Sequence, residues 1–336
     1  MFNVPTMEDL GPLENLNALI PWPAFKTHCP HGAGLAACPT LGLLVISNFQ
    51  TNTLSVFSLP FGISDVDGGL TFLYFLGDSD ACAEMQFVFK DGKSMSGWMV
   101  FTGPATCRLL LLTDAGHDAV HVIDVVARVH VGYVAAPGTI TRPRGVAARD
   151  TLVAVSTWKK LDSHQHEVRL FEGSGTSWTV VRVVGGGFGA PGSAHGKLKN
   201  PYGLRFTSDG TGLAVADTGN NRVSLFSVDD GSFVRHMATR LMGPLDVEGC
   251  GDGWLVVCAT SETIEFVGGR RVDRKVCWER DFFYPTALAQ VPGLGLIVRG
   301  VCSLHVLVTP DTIAMASMSA SRVAWMVALA RRVCQS

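Results

Sequence analysis

The sequence predicts an all-β fold: a six-bladed β-propeller of four-stranded antiparallel blades, followed by a short C-terminal helix. Three observations carry this prediction. Short apolar strands bounded by Gly, Asn, Asp and Ser clusters fill most of the chain, the signature of strands joined by tight turns. Little of the chain shows a helical period. And a unit of four such strands recurs at the ~40–45-residue interval expected of one blade.

The best-formed unit lies within residues 196–236. Pro201-Tyr202-Gly203-Leu204-Arg205-Phe206 alternates and runs into the turn Ser208-Asp209-Gly210. Gly212 to Ala216 makes a second strand, and Asp217-Thr218-Gly219-Asn220-Asn221 supplies residues that tolerate positive φ or bond their own backbone, as a hairpin connection demands. Arg222 to Phe226 is a third strand, and Ser232 to Met237, after Asp229-Asp230-Gly231, is a fourth.

Weaker copies flank it. Blade one comprises Leu35–Cys38, Leu43–Asn48, Thr53–Phe57 and Leu70–Phe75, and blade two Trp98–Phe101, Leu109–Asp114, Ala119–Ile123 and Val129–Val134. Blade three runs from Arg144 to Val184, blade five from Leu245 to Trp278, and blade six from Ala287 through Leu304–Val308 to Thr312–Ala316. Ser47, Thr113, Ser156, Ala216, Cys258 and Val298 close the successive second strands. Their two wide intervals coincide with insertions at 78–95 and 185–199. The predicted organisation is thus an extended segment over 1–27, the propeller over 28–318 and a tail over 319–336.

Residues 1–27 carry Pro5, Pro12, Pro21 and Pro23, which disfavours a helix and suits a segment wrapped on the surface rather than a closing strand. Residues 319–336 place Val323, Met326, Val327 and Ala330 at helical spacing, with Arg331 and Arg332 in the last turns, where cations complement the helix dipole. The expected role is a helix packed on the propeller.

The motif Asn200-Pro201-Tyr202-Gly203, then Ala216-Asp217-Thr218-Gly219-Asn220-Asn221-Arg222-Val223 and Phe226, closely resembles the NHL repeat, whose consensus joins a P-x-G strand to a V-A-D-x-x-N-x-R-V hairpin. Leu112 to Val120 keeps the aspartate and glycine but lacks the arginine; Ser47 to Asn52 keeps the second asparagine. The resemblance implies a β-propeller and, most often, a docking surface for protein or RNA. Asp217, Gly219, Asn220 and Arg222 are expected to be architecture, with the carboxylate and amide satisfying turn N–H groups and the arginine tying the loop to its neighbour.

The residue after each proline that opens an innermost strand is expected at the mouth of the central channel: His31, Arg144, Tyr202, Leu245 and Thr286. His31, Arg144, Tyr202 and Thr286 are therefore candidate binding residues for a partner, a small molecule or a metal. Ordinary solvated rim residues are the plain alternative. NHL-like folds include zinc lyases and metal-dependent hydrolases. A catalytic zinc commonly takes three protein ligands and keeps one position open, and only His31 among the five qualifies. No metal ligand set, cofactor or catalytic constellation is complete, so the expected function is a non-catalytic scaffold that docks a protein. A metal-dependent lyase or hydrolase at the channel mouth and a single-stranded RNA-binding propeller are the alternatives. For RNA the basic residues would be Arg142, Arg144, Lys159 and Lys160 in one blade and the patch Arg270, Arg271, Arg274 and Lys275 in another.

Composition agrees with a large core and a modest surface field. Hydrophobic residues make up 47%, charged residues only 17%, and the formal net charge is −2, which argues against a general polyanion binder. The nine cysteines show no C-x-x-C pair and sit in apolar strands, as expected of free thiols in an intracellular, cytoplasmic protein. No apolar run reaches the ~18 residues of a membrane span, and no secretory signal is visible.

Overall fold

The structure, a computed structural model, describes residues 19–21, 34–48, 53–59, 70–77, 97–102, 108–158, 166–185, 191–250, 253–268, 274–277, 284–291, 295–300 and 304–307. Its first strand is β1 (Leu19–Pro21). Blade one contains β2 (Leu35–Cys38), β3 (Leu43–Asn48), β4 (Thr53–Ser58) and β5 (Thr71–Leu76). Blade two contains β6 (Met99–Thr102), β7 (Leu109–Asp114), β8 (Ala119–Asp124) and β9 (Val129–Ala135). Blade three contains β10 (Pro143–Arg149), β11 (Leu152–Thr157), β12 (Val168–Ser174) and β13 (Ser177–Val184). Blade four contains β14 (Pro201–Phe206), β15 (Gly212–Asp217), β16 (Arg222–Ser227) and β17 (Phe233–Thr239). Blade five contains β18 (Pro244–Cys250), β19 (Gly253–Cys258), β20 (Thr263–Val267) and β21 (Arg274–Cys277). The last strands are β22 (Pro285–Val291), β23 (Gly295–Gly300) and β24 (Leu304–Leu307).

These five blades each use four consecutive strands paired antiparallel. The remaining sheet does not: its order is β1-β24-β23-β22, with Leu19 opposite Leu307 and Pro21 opposite His305. Two expectations are corrected here. Residues 19–21 are a closing strand and not a surface wrap, and only five of the six expected blades are self-contained in sequence. The physical reason is the free edge of β24. Unpaired N–H and C=O groups on an edge are satisfied by any available strand, and the N-terminal segment reaches that edge despite its prolines because a three-residue ladder needs few donors. The fourth strand expected at Thr312–Ala316 and the helix expected at 319–336 lie outside the described residues. Among the described residues there is no α-helix, and none long and apolar enough to cross a membrane.

The first strands of neighbouring sheets approach one another in the order β2, β6, β10, β14, β18, β22 and back to β2. They therefore line the centre, and the fourth strands face outward. Apolar side chains fill each wedge between adjoining sheets. Val45, Leu54 and Val56 pack on Leu110, Leu112 and Ile123; Leu204, Leu213 and Phe226 pack on Ala154, Val168 and Leu170. Leu44, Ile46 and Phe57 of blade one meet Ala287, Ile297 and Leu304 of the last sheet, so burial closes the ring. At about 1.5–3 kcal/mol for each buried aliphatic or Phe side chain, these wedges supply the main drive for folding. Fourth strands by contrast alternate exposed and half-buried positions, as in Thr71–Leu76.

Sequence punctuation explains the turn into the centre. The residue before each inner-strand proline has a left-handed backbone: Arg142 at φ 39°, Asn200 at 52°, Gly243 at 66° and Tyr284 at 55°. The following glycines then permit close approach of blades. A Cβ on Gly145 would strike the Tyr202 carbonyl oxygen, and one on Gly203 would strike the Asp246 carboxylate.

Candidate functional site

The residues predicted for the channel mouth lie at strand starts and in the loops beside them. Hydroxyls at the ends of second strands and in the hairpin beyond stitch blade two to three, three to four and four to five. Thr113 Oγ1 donates to the Arg144 carbonyl at 2.7 Å, Ser156 Oγ to the Tyr202 carbonyl at 2.6 Å, and Thr218 Oγ1 to the Pro244 carbonyl. Each of these bonds fixes the backbone of a residue at or beside the predicted mouth.

Arg144 and Tyr202, from neighbouring blades, are brought together. Arg144 Nη1 donates to Tyr202 Oη at 2.8 Å, and its guanidinium carbon lies 4.7 Å from the Tyr202 ring centroid and 5.0 Å from that of Trp158. Trp98 meets Tyr202 edge-to-face at 5.5 Å, and Arg142 lies 5.6 Å from the Trp158 ring. These distances are in the range where a cation is attracted by an aromatic face. Burial pushes the Arg144 guanidinium below its ordinary value; Tyr202 partly offsets this, and Arg142 adds to it. Among the described residues Arg144 has no carboxylate partner, and its buried Nε has no acceptor. The buried indole Nε1 of Trp98 and Oδ1 of Asn200 likewise lack a partner.

The other predicted mouth residues stand apart. Thr286 is buried and donates to the Arg299 carbonyl at 3.2 Å. Leu245 is buried and packs with Tyr202, and His31 lies outside the described residues. Of the predicted basic patch, Arg274 and Lys275 start β21, the outermost strand of its sheet, whereas Arg270 and Arg271 lie outside the described residues.

The repeat motif forms a buried network. Asp217 accepts from Lys199 N at 2.7 Å, Asn220 Nδ2 at 2.8 Å and Arg222 Nε at 2.7 Å. Arg222 also donates to the carbonyls of Ser193 and Lys197, and Gly219 sits so close to Lys199 that a Cβ there would collide with its carbonyl oxygen.

Several groups were missed by sequence reasoning. Trp98 occupies the inner-strand position that Gly145 and Gly203 hold elsewhere, but blade two lacks the proline that flags it. In blade two Asp114 and His117 repeat the three-residue spacing of Asp217 and Asn220. The Asp114 carboxylate meets His117 Nδ1 at 2.7 Å and His121 Nε2 at 3.2 Å, and His121 Nδ1 lies 3.2 Å from His130 Nε2. Burial pushes the Asp114 carboxyl up, but the bonds from His121 and His117 outweigh it and leave it below the usual value. Among the first strands β14, β18 and β22, Asp246 accepts from Leu288 N at 3.0 Å and lies 4.0 Å from Arg205, which holds Glu248 at 3.1 Å. Among the described residues no three His, Cys, Asp or Glu side chains are grouped to hold a metal ion.

Comparison with known proteins identifies a shape and no family. The solved structures similar to this chain include one chain of the crystal structure of a nidogen/laminin complex, at 14% identity and a TM-score of 0.50, over 70% of this chain and 74% of that one. The fold is a β-propeller. No protein-family model matches the chain, and no curated protein sequence does; the NHL likeness rests on the motif residues alone. The first strands of blades three and four bring Arg144 and Tyr202 together.

Proposed function

We propose that this propeller is a non-catalytic scaffold, six-bladed and NHL-like, whose channel-mouth face docks a protein partner. The observation that carries this reading is Arg144: a guanidinium shielded by Trp158 and Tyr202, with its Nε unpaired and no acid beside it among the described residues. A shielded charge without a counter-ion is costly to hold unless something else supplies the partner. Arg142 supports the same face. Its guanidinium lies 5.6 Å from the Trp158 ring that shields Arg144, within the range where an aromatic face attracts a cation.

The test is face selectivity. A photo-crosslinking amino acid placed at Arg142 should trap a defined partner band in extracts of the native cell. The same group at Asp209, in the turn at the far end of β14, should not. Equal trapping at both sites, or trapping only at Asp209, overturns the reading.

A further inference from the structure

Deepening the docking reading, on which it rests, we propose that the Arg144 corner is a specific seat for a carboxylate carried by an acidic segment of the partner. Among the described residues Nη1 is the only nitrogen of Arg144 with a hydrogen bond, to Tyr202. The Nε–Nη2 edge is therefore free, and that edge is the fork that matches the two oxygens of a carboxylate. A second donor is idle beside it: the Nε1 of Trp98, whose residue is 6% exposed, on a ring 5.5 Å from Tyr202. A buried indole N–H nearly always has a partner. Two unpaired donors, both on side chains packed against Tyr202, call for an acceptor that the described residues do not provide.

The surroundings select the class of anion. Three rings, Trp98, Trp158 and Tyr202, make an apolar wall that suits the methylenes of an aspartate or glutamate side chain. Among the described residues one shielded cation and one exposed neighbour, Arg142, stand at this corner, a charge suited to a single carboxylate. A phosphate backbone asks for a row of cations, and Arg274 and Lys275 start an outermost strand, far from this corner.

Selection of a random peptide library with amidated C-termini on the full chain tests this, with the Arg144→Met protein as counter-target and tryptophan fluorescence as a second readout. Captured peptides are expected to share an Asp or Glu at one position, to lose at least tenfold in affinity on its change to Asn or Gln, and to lose as much on Arg144→Met. Arg144→Lys, which keeps charge but not the fork, should recover only part, and unchanged circular dichroism and melting show that each variant is folded. Captured peptides without an enriched acid, or with equal affinity for Arg144→Met, overturn the carboxylate seat while leaving the scaffold standing. If no peptide is captured yet succinate quenches the tryptophans in an Arg144-dependent way, the scaffold reading falls and the carboxylate comes from a small molecule. Capture of phosphopeptides or single-stranded oligouridine in preference to acidic peptides, or no response to any probe, overturns the proposal.

Discussion

Arg222 Nε lies 2.7 Å from the Asp217 carboxylate in a pair that is almost wholly enclosed, with side-chain exposures of 8% and 0%. The same guanidinium reaches back to the carbonyls of Ser193 and Lys197, so one side chain joins the β15–β16 hairpin to the segment that enters the blade. Removing one partner of a buried pair leaves the other uncompensated, which typically costs about 3–5 kcal/mol. Arg222→Ala should lower stability by that order in urea denaturation. Arg222→Lys should recover little, because an ammonium cannot serve the carboxylate and two carbonyls from one plane.

Gly145 and Gly203 govern how closely blades three, four and five approach. A methyl group at Gly145 would meet the Tyr202 carbonyl oxygen, which is backbone and cannot swing aside. Gly145→Ala should therefore destabilise by about 1–3 kcal/mol, in the range of overpacked cores. It should also perturb Tyr202, visible as a changed near-ultraviolet dichroism. Gly249→Ala, where nothing lies within 4 Å, is the control and should leave both unchanged.

Asp246 gives the molecule a pH dependence. Burial pushes its carboxyl up from 3.8 to about 6, against the pull of Arg205 and of the Leu288 N–H. Between those values the folded state holds a proton that the unfolded state has released. Stability from this group is thus complete below pH 4 and declines as pH rises through about 6, by on the order of 2–3 kcal/mol. Asp246→Asn should flatten that decline in a series of melts from pH 4 to 7; an unaltered slope would refute the assignment.

The strain at Arg142 separates stability from binding. Its φ of 39° is tolerated better by asparagine, the residue found at the equivalent Asn200. Arg142→Asn should raise stability by about 1 kcal/mol, part of the usual cost of such a backbone, while weakening partner crosslinking from a neighbouring probe at Thr141.

The closing strand offers a fifth test. Because β1 pairs with β24 from Leu19–Leu307 to Pro21–His305, deleting residues 1–21 should leave the β24 edge unpaired. Faster amide exchange in Leu304–Leu307 than in Leu43–Asn48, together with a lower melting temperature, is the expected result. Unchanged exchange in both would show the strand to be dispensable.

Much of this was legible in the chain. Alternation, turn residues and the P-x-G starts located all four strands of blades one to five, because those signals are local. Asp217, Asn220 and Arg222 could be read as a turn network since hairpin chemistry acts over a few residues. The pairing of β1 could not be read, because a three-residue strand near prolines carries no signal until a distant edge is free to receive it. Nor could the Arg144 corner. Proline flagged Arg144 and Tyr202, but Trp98 has no such mark and Trp158 follows β11 in an ordinary loop.

The sequence by itself determined the repeating four-strand unit, its turns and the places where the backbone must bend left-handed, since each depends on neighbours within one blade. Only the tertiary structure decided which end of the chain completes the last sheet, and which side chains of successive blades meet around Arg144. Those outcomes depend on contacts between residues as far apart as Trp98 and Tyr202, and the ring has to close before such residues meet.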